Sequence, residues 1–171
     1  MYSFEKIQEE DYENIIQIMT RAFDDDTQIH TGDKAGGPSG YDNGELLKKL
    51  MDSFHARKIK YRGKILGIFA LKIEKNQGIL ELFCIDPSYK SKGHGTKIWH
   101  EIEKAYPVKV WYLETPDYSV RNRYFYEKKC GFSVIGKKKY GENCCSYMFS
   151  KESTSESVNK TDKIEKKETK I

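Results

Sequence analysis

The 171-residue sequence has few of the features from which metal sites, disulfides or membrane spans are built. Its four cysteines, Cys84, Cys130, Cys144 and Cys145, form no CxxC pair, so we expect no metal and no disulfide framework. No apolar run approaches the roughly 20 residues of a membrane helix. The start of the chain is acidic within five residues and lacks the apolar segment of a secretion signal. We therefore expect a cytoplasmic protein with reduced thiols and no membrane partner.

Charge is abundant but nearly balanced, with 30 basic and 26 acidic residues and a net charge of +4. A general nucleic-acid role is therefore not expected, although local basic stretches, "KSKGHGTK" and "GKKKYG", keep it as one alternative. The 37% hydrophobic content is enough for one core, which predicts a single folded domain over residues 1–150. Residues 151–171 carry eleven charges and no aromatic side chain, which predicts a disordered charged tail.

Hydrophobic periodicity predicts an α/β (α+β) protein in which a mixed sheet is flanked by four helices. The order is a strand ("YSFEKI"), a helix ("DYENIIQIMTRAF", with Asp11 as its N-cap), a glycine-rich loop and a second helix ("ELLKKLMDSFH"). Three strands follow as an antiparallel meander ("RKIKY", "KILGIFALKIE", "GILELFCID"), then a helix, a strand ("VKVWYLE"), a helix ("SVRNRYFYEKKC") and a final hairpin. The helix that connects the strand ending at Ile85 to the strand starting near Val108 predicts that those two strands are parallel neighbours.

The short loop "SYKSKGHGTK" joins a predicted strand directly to a predicted helix. The first backbone N–H groups of such a helix are unpaired and lie at the positive end of its dipole, which favours anion binding. Gly93 and Gly95 have no Cβ, so a diphosphate could approach the backbone there. The P-loop pattern GxxxxGK[ST] is absent, and a Rossmann fingerprint would need glycine at position 98, which is isoleucine. The loop is predicted to be a phosphate cradle of another kind.

The stretch "FCIDPSYKSKGHGTK" resembles the [QR]xxGxG/A signature of the GNAT superfamily of acyl-CoA-dependent N-acetyltransferases, and "NRYFYEKKCGF" resembles its second motif. Two departures are visible. Lys90 stands where the family usually has arginine or glutamine, and Tyr126 lies five residues before Gly131, where four is usual. The resemblance implies a GNAT-like mixed, mostly antiparallel sheet of six to seven strands with a splayed parallel pair at the cofactor site.

The resemblance also implies the cosubstrate, acetyl-CoA, and the residues that hold it. The pantetheine arm would bind the free backbone edge of the strand at Phe83, Cys84 and Ile85. The pyrophosphate would lie on the residues of the loop and the start of the helix, namely Ser91, Lys92, Gly93, His94, Gly95 and Thr96. Asn122 matches an asparagine of the second motif that often contacts the cofactor.

The reaction needs a base, because an alkyl amine with a pKa near 10 is only about one part in a thousand neutral at pH 7. Glu81, on the same strand face as Phe83 and Ile85, and Glu114, at the end of "VKVWYLE", are both candidates. Each could instead be a solvent-facing residue. Tyr126 is the residue that the family commonly uses to protonate the departing thiolate, although a packing role is the alternative. Cys84 is expected to be a buried apolar residue and no nucleophile.

These inferences predict an N-acetyltransferase that moves an acetyl group from acetyl-CoA to a primary amine by direct transfer through a ternary complex. The family usually builds the acceptor pocket around the loop that here reads "FDDDTQIHTGDKAGGPSGYDNG". Asp24, Asp25 and Asp26 could attract a cationic amine, with His30 and Tyr41 near the opening; a solvated acidic run is the alternative. We expect a small-molecule amine acceptor, with a protein acceptor and a homodimer left open. A non-catalytic acyl-CoA-binding sensor on the same fold is the alternative function.

Overall fold

The computed structural model describes residues 1–153, which form seven strands and four α-helices. The strands are β1 (Tyr2–Glu5), β2 (His55–Tyr61), β3 (Lys64–Glu74), β4 (Gln77–Ile85), β5 (Val110–Pro116), β6 (Ser133–Gly141) and β7 (Cys144–Glu152). The helices are α1 (Tyr12–Thr31), α2 (Glu45–Ser53), α3 (His94–Ala105) and α4 (Val120–Tyr124), with 3-10 turns at Glu9–Asp11 and Pro87–Tyr89. A π-helical turn, Phe125–Lys129, follows α4 directly.

The strand order is β1-β2-β3-β4-β5-β7-β6, mostly antiparallel, with β4 and β5 as the parallel pair. This confirms the predicted fold class. β7 continues to Glu152, two residues beyond the predicted end of the folded domain at Ser150. Residues 154–171 of the expected tail lie outside the described residues.

The chain divides into two compact units, which are described separately. Unit 1 comprises residues 1–72, 80–95 and 118–120, and unit 2 comprises residues 73–79, 96–117 and, within the described part of the chain, 121–153.

The core of unit 1 lies where α1 and α2 pack on strands β2, β3 and β4. Its buried side chains are Ile15, Met19, Leu47, Leu50, Ala56, Ile68, Ala70 and Cys84. On α1 and α2 the buried side chains recur at intervals of three or four residues, as the hydrophobic periodicity of the sequence predicts. β3 pairs antiparallel with β2, as the predicted meander requires, and β1 pairs antiparallel with β2 on its other side.

The first helix is longer than the sequence predicted. It was expected to end near Phe23, whereas α1 continues to Thr31, so the three aspartates and His30 lie on a helix and not in a loop. Aspartate has low helix propensity, but tertiary partners override it here. The Asp24 carboxylate accepts hydrogen bonds from the Tyr41 hydroxyl (2.6 Å) and the Gly36 N–H (3.1 Å).

Asp11 precedes α1, as predicted, but its side chain makes no cap hydrogen bond to that helix. Its Oδ2 instead accepts hydrogen bonds from the Gln8 N–H (2.7 Å) and from the buried Lys58 Nζ (2.6 Å). A charged donor is a stronger partner than a helix N–H, so the carboxylate is held by β2. Burial acts to raise the pKa of Asp11, but these hydrogen bonds outweigh it and hold the pKa below its ordinary value.

The core of unit 2 is aromatic. The Trp99 ring of α3 contacts Trp111 of β5 and Phe132, at centroid distances of 5.3 Å and 5.2 Å. Tyr126 packs between Phe132 and Phe149, at 5.8 Å and 5.9 Å. β5 and β6 both pair antiparallel with β7, so β7 lies between them.

Candidate active site

In unit 1, the end of β4 carries the three residues expected to meet pantetheine. The Cys84 side chain is 5% exposed, and burial, with a further contribution from Asp86, raises the pKa of its thiol to about 12. This confirms Cys84 as a buried apolar residue. A Cβ placed on Gly67 of β3 would lie 2.2 Å from the Cys84 carbonyl oxygen, so the two strands approach there more closely than any other residue type permits.

Glu81 lies on the exposed face of β4, whereas Leu80 and Cys84 are buried on the opposite face of the strand. Among residues 1–153 its carboxylate has no hydrogen bond or ion pair. Its carboxylate is therefore accessible to solvent and to a substrate.

After β4 the chain turns through a hydrogen-bonded Asp-Pro-Ser sequence. The Asp86 carboxylate accepts the Ser88 N–H (3.0 Å), and the 3-10 turn Pro87–Tyr89 follows. Ser91 and Gly93 then adopt left-handed backbone conformations, with φ of 60° and 73°, immediately before α3 begins at His94. A Cβ on Gly93 would meet no protein atom within 4 Å, so within the protein itself the left-handed φ angle is what favours glycine there. Such alternation turns successive N–H groups toward one side and suits an anion.

Two ion pairs connect α1 to this turn. The Arg21 guanidinium lies 2.5 Å from the Asp86 carboxylate, and Lys90, the cation of the signature, pairs with Asp25. Burial acts to raise the pKa of Asp86, but the hydrogen bonds from Arg21 and Ser88 outweigh it and lower the pKa below the ordinary value.

An open cleft of about 650 Å³ lies beside these ion pairs in unit 1. It is lined by Arg21, Asp24, Asp25, Gln28, Asp86, Pro87 and Ser88. The lining contains three carboxylates and one guanidinium, and the Lys90 ammonium pairs with one of the carboxylates, Asp25. Three anionic groups thus face two cationic ones, a balance that favours a cationic occupant.

The three consecutive aspartates of α1 point to three different partners, because successive helical residues are rotated by about 100°. Asp24 binds Tyr41 and Gly36, Asp25 binds Lys90, and Asp26 accepts the Ser119 hydroxyl (3.0 Å) and lies 3.3 Å from His30 Nδ1. The run is therefore an organised part of the fold and not a uniformly solvated patch.

In unit 2, Glu114 lies on the exposed face of β5, and the strand continues past it to Pro116. Its carboxylate accepts a hydrogen bond from the Tyr140 hydroxyl and lies 3.8 Å from Lys138 Nζ, both on β6. The hydrogen bond to Glu114, which stabilises the protonated phenol, is the main cause of the raised pKa of Tyr140. Glu114 therefore already serves as an acceptor within its own unit.

The second motif contains the π-helical turn, and this explains its unusual spacing. The Cys130 N–H donates to the Phe125 carbonyl five residues earlier (3.1 Å), and the Phe132 N–H donates to the Tyr126 carbonyl (2.9 Å). A π turn accommodates one residue more than an α turn, so it absorbs the extra residue between Tyr126 and Gly131. Tyr126 itself is 8% exposed.

Asn122 lies on α4, where its side-chain amide donates a hydrogen bond to the buried Thr115 hydroxyl (3.2 Å). Within unit 2 the structure therefore brings Asn122 to the end of β5. Within unit 1 it brings the end of β4 together with Ser91–Gly95.

Arg21, Asp86 and Tyr140 were not predicted from the sequence to be parts of these sites. For Asp86 a local signal existed, because Asp-Pro followed by serine is a turn-initiating pattern. The partners of Arg21 and Tyr140 lie 65 and 26 residues away in sequence, so no local pattern could have identified them.

Across residues 1–153, no group of three or more His, Cys, Asp or Glu side chains is arranged to hold a metal ion. In the same part of the chain, no helix has the length and apolar character needed to cross a membrane.

Comparison with known proteins agrees with the motifs and the fold. The family model described as "Acetyltransferase (GNAT) family" matches residues 12–132, which is most of the chain. The chain therefore belongs to the GNAT acetyltransferase family.

One curated relative, "Uncharacterized protein YrkN" of Bacillus subtilis (strain 168), is 36% identical over 112 residues. The match covers 61% of this chain and 58% of the relative, so the chain spans less than two thirds of the relative's length.

Two solved structures share the fold at low sequence identity. The PaiA N-acetyltransferase of Thermoplasma acidophilum, in complex with coenzyme A, has a TM-score of 0.67 at 17% identity, over 90% of this chain and 99% of the other. The ribosomal-protein-S18-alanine N-acetyltransferase of Escherichia coli has a TM-score of 0.62 at 16% identity, over 88% and 92% of the two chains.

Proposed function

We propose that this protein is an N-acetyltransferase that moves an acetyl group from acetyl-CoA to a primary amine by direct transfer through a ternary complex. The observation that carries the proposal is the backbone of the β4–α3 loop. It has left-handed residues at Ser91 and Gly93, and it lies in the family signature directly before α3. The complex of PaiA with coenzyme A supports the choice of cosubstrate.

The residues present fit a CoA diphosphate and a pantetheine arm. Backbone N–H groups from Ser91 to Thr96 would hold the diphosphate, helped by the positive end of the α3 dipole. The β4 edge at Phe83, Cys84 and Ile85 would pair with the pantetheine amides, with Asn122 as a further cofactor contact. The buried Cys84 side chain anchors that edge in the core and leaves only its backbone for binding.

We assign the general base to Glu81 and not to Glu114. The base must accept a proton from the ammonium form of the acceptor, so it needs an open carboxylate. Glu81 is exposed, whereas Glu114 already binds the Tyr140 hydroxyl and lies beside Lys138. In this assignment Glu114 orients the β6 side chains.

Tyr126 is the proposed acid that protonates the departing thiolate. Its hydroxyl is attached to a ring held by aromatic packing, which limits its motion and favours a defined proton-transfer geometry. A backbone N–H near Ile85 would stabilise the negative charge that develops on the thioester carbonyl oxygen.

The acceptor is proposed to be a small cationic amine, with a protein amine as the alternative. The support is the open cleft of unit 1, where the three carboxylates of Asp24, Asp25 and Asp86 outnumber the two cations beside them, Arg21 and Lys90. Its volume of about 650 Å³ is within the usual range of small-ligand pockets.

The test compares Glu81→Gln with the matched variant Glu114→Gln, by release of free CoA thiol with a panel of amines. Glu81→Gln is expected to lower kcat by about 10²–10⁴-fold, the usual contribution of a general base. Glu114→Gln is expected to lower it by less than about tenfold, and both variants should bind CoA like the wild type. Equal losses, or a wild-type rate for Glu81→Gln, would reject the assignment. CoA binding without turnover of any amine by the wild type would favour the sensor function.

A further inference from the structure

His94, the first residue of α3, lies within a group of tyrosines that the proposed chemistry does not use. The Tyr2 hydroxyl on β1 hydrogen-bonds to His94 Nδ1 at 2.7 Å, across 92 residues of sequence. Partial burial, with a smaller effect of Tyr61, raises the pKa of Tyr2, so this phenol is protonated at neutral pH. A protonated phenol can donate to the Nδ1 lone pair of a neutral imidazole whose ring proton lies on Nε2.

Three tyrosine rings surround this imidazole. The centroids of Tyr2, Tyr61 and Tyr89 lie 5.9 Å, 5.0 Å and 5.8 Å from that of His94, all in steeply tilted or edge geometry. Tyr2 and Tyr61 are register partners on β1 and β2, at a centroid distance of 5.1 Å. We call Tyr2, Tyr61, Tyr89 and His94 the tyrosine cage. It joins an edge of the sheet to the start of α3.

Two residues of the tyrosine cage, Tyr89 and His94, flank the phosphate loop. Tyr89 is the last residue of the 3-10 turn before the loop, and His94 is the first residue after it. Inside the loop, Ser91 and Gly93 have left-handed φ angles, and Gly93 has open space around it. Packing inside the loop therefore contributes little to its conformation at Gly93, and anchoring at its two ends matters correspondingly more.

We propose that Tyr2 is a positioning residue for the CoA diphosphate, because its hydrogen bond to His94 fixes the loop of residues 90–93 between the two anchors of the tyrosine cage. The proposal rests on the proposed function, since it concerns the same loop. Loss of the hydroxyl leaves the ring in place but removes the hydrogen bond that links the His94 imidazole to β1. The loop is then less ordered before CoA binds and loses more conformational entropy on binding. This weakens CoA binding without changing the chemical step.

The test is Tyr2→Phe, with Tyr61→Phe as the matched control that removes a hydroxyl from the same cage but leaves the Tyr2–His94 bond. Tyr2→Phe is expected to raise the Kd for CoA and the KM for acetyl-CoA by about 3–10-fold, the range for one lost hydrogen bond. Its kcat and its KM for the amine should stay at the wild-type values. Tyr61→Phe should bind CoA within about twofold of the wild type.

A second pair of variants tests the same bond from the other side. Asparagine places an amide oxygen near the position of Nδ1, so His94→Asn is expected to retain most of the CoA affinity. Leucine offers no acceptor, so His94→Leu should weaken CoA binding as much as Tyr2→Phe does. Thermal melts confirm that each variant is folded. A His94→Leu variant that binds CoA like the wild type would overturn the proposal, as would a Tyr2→Phe variant with an unchanged Kd.

The ¹⁵N shift of His94 Nδ1 and hydrogen exchange of the amides of residues 90–93, both measured without ligand, separate this proposal from the proposed function. Tyr2→Phe should move the Nδ1 shift and speed exchange in the loop even if the wild type binds no CoA. In that case the transferase proposal fails while the positioning of the loop by Tyr2 stands. If Tyr2→Phe left hydrogen exchange in the loop unchanged, the positioning role of Tyr2 would be rejected, whether or not the wild type binds CoA.

Discussion

The replacement Gly67→Ala tests whether the proposed pantetheine-binding edge of β4 depends on the close approach of β3 to β4. The added Cβ would lie 2.2 Å from the Cys84 carbonyl oxygen and 3.1 Å from the Ile85 Cα. Because real Cβ atoms keep at least 3.0 Å, the β4 backbone must move by roughly 1 Å. That movement would occur at the residues proposed to pair with pantetheine.

Overpacking of this kind usually costs about 1–3 kcal/mol, which in a protein of this size lowers Tm by about 2–4 °C per kcal/mol. We expect Gly67→Ala to show this loss in thermal denaturation and to raise the Kd for CoA at least tenfold in calorimetric titration.

Gly136→Ala on β6 is the matched control, because a Cβ there meets no atom within 4 Å and the glycine has no left-handed φ angle. The control should melt and bind CoA like the wild type. A folded Gly67→Ala variant with wild-type Tm and CoA affinity would show that β4 does not depend on this close approach.

Three further predictions concern buried groups. Asp11→Asn leaves the Lys58 ammonium without its buried partner, so it should lower the free energy of unfolding by about 3–5 kcal/mol at pH 7. The pKa of Asp11 is lowered in the folded state, so its contribution to stability is present above about pH 4 and is lost as pH falls through the folded pKa. In denaturant melts the free energies of unfolding of Asp11→Asn and the wild type should therefore converge below about pH 4. A difference that stays constant with pH would contradict this. Iodoacetamide at pH 8 should label the exposed Cys144 but not Cys84, whose pKa is raised to about 12, until the protein unfolds; early labelling of Cys84 in peptide mass spectra would contradict its burial. Tyr126→Phe should keep the wild-type Tm, because the packed ring remains, but lower kcat about 100-fold if the hydroxyl donates the proton; an unchanged kcat would leave Tyr126 with packing alone.

The strands and helices were largely predictable because their apolar residues follow regular periods. The run "KILGIFALKIE" coincides with β3, and the meander is confirmed by the pairing of β2 with β3. Gly67 inside that run was itself a signal, since glycine within a strand often marks a close backbone approach.

The length of α1 was not predictable, because it depends on long-range partners. A local reading of Asp24, Asp25 and Asp26 favours a helix end, and only the contacts to Tyr41, Lys90 and Ser119 explain why the helix continues. Likewise, the five-residue spacing between Tyr126 and Gly131 was visible in the sequence, but its cause, a π turn, required the backbone hydrogen bonds.

The backbone segment that forms the candidate site was predictable from the sequence, but the roles of its side chains were not. The signature around Gly93 located the loop because glycine and the strand-to-helix junction are local features. The choice between Glu81 and Glu114 depended on Tyr140, which lies 26 residues from Glu114 on another strand. The Tyr2–His94 hydrogen bond spans still more of the chain.

A titration of ¹⁵N-labelled protein with CoA tests whether the loop binds the diphosphate, because it observes the amides of the loop themselves. We expect the amide resonances of Ser91 to Thr96 and of the Phe83–Ile85 edge to shift together along a single saturation curve. Free pantetheine, which lacks the diphosphate, should move the Phe83–Ile85 group alone. If saturating CoA left the resonances of Ser91 to Thr96 unchanged, the proposed cofactor site would be wrong.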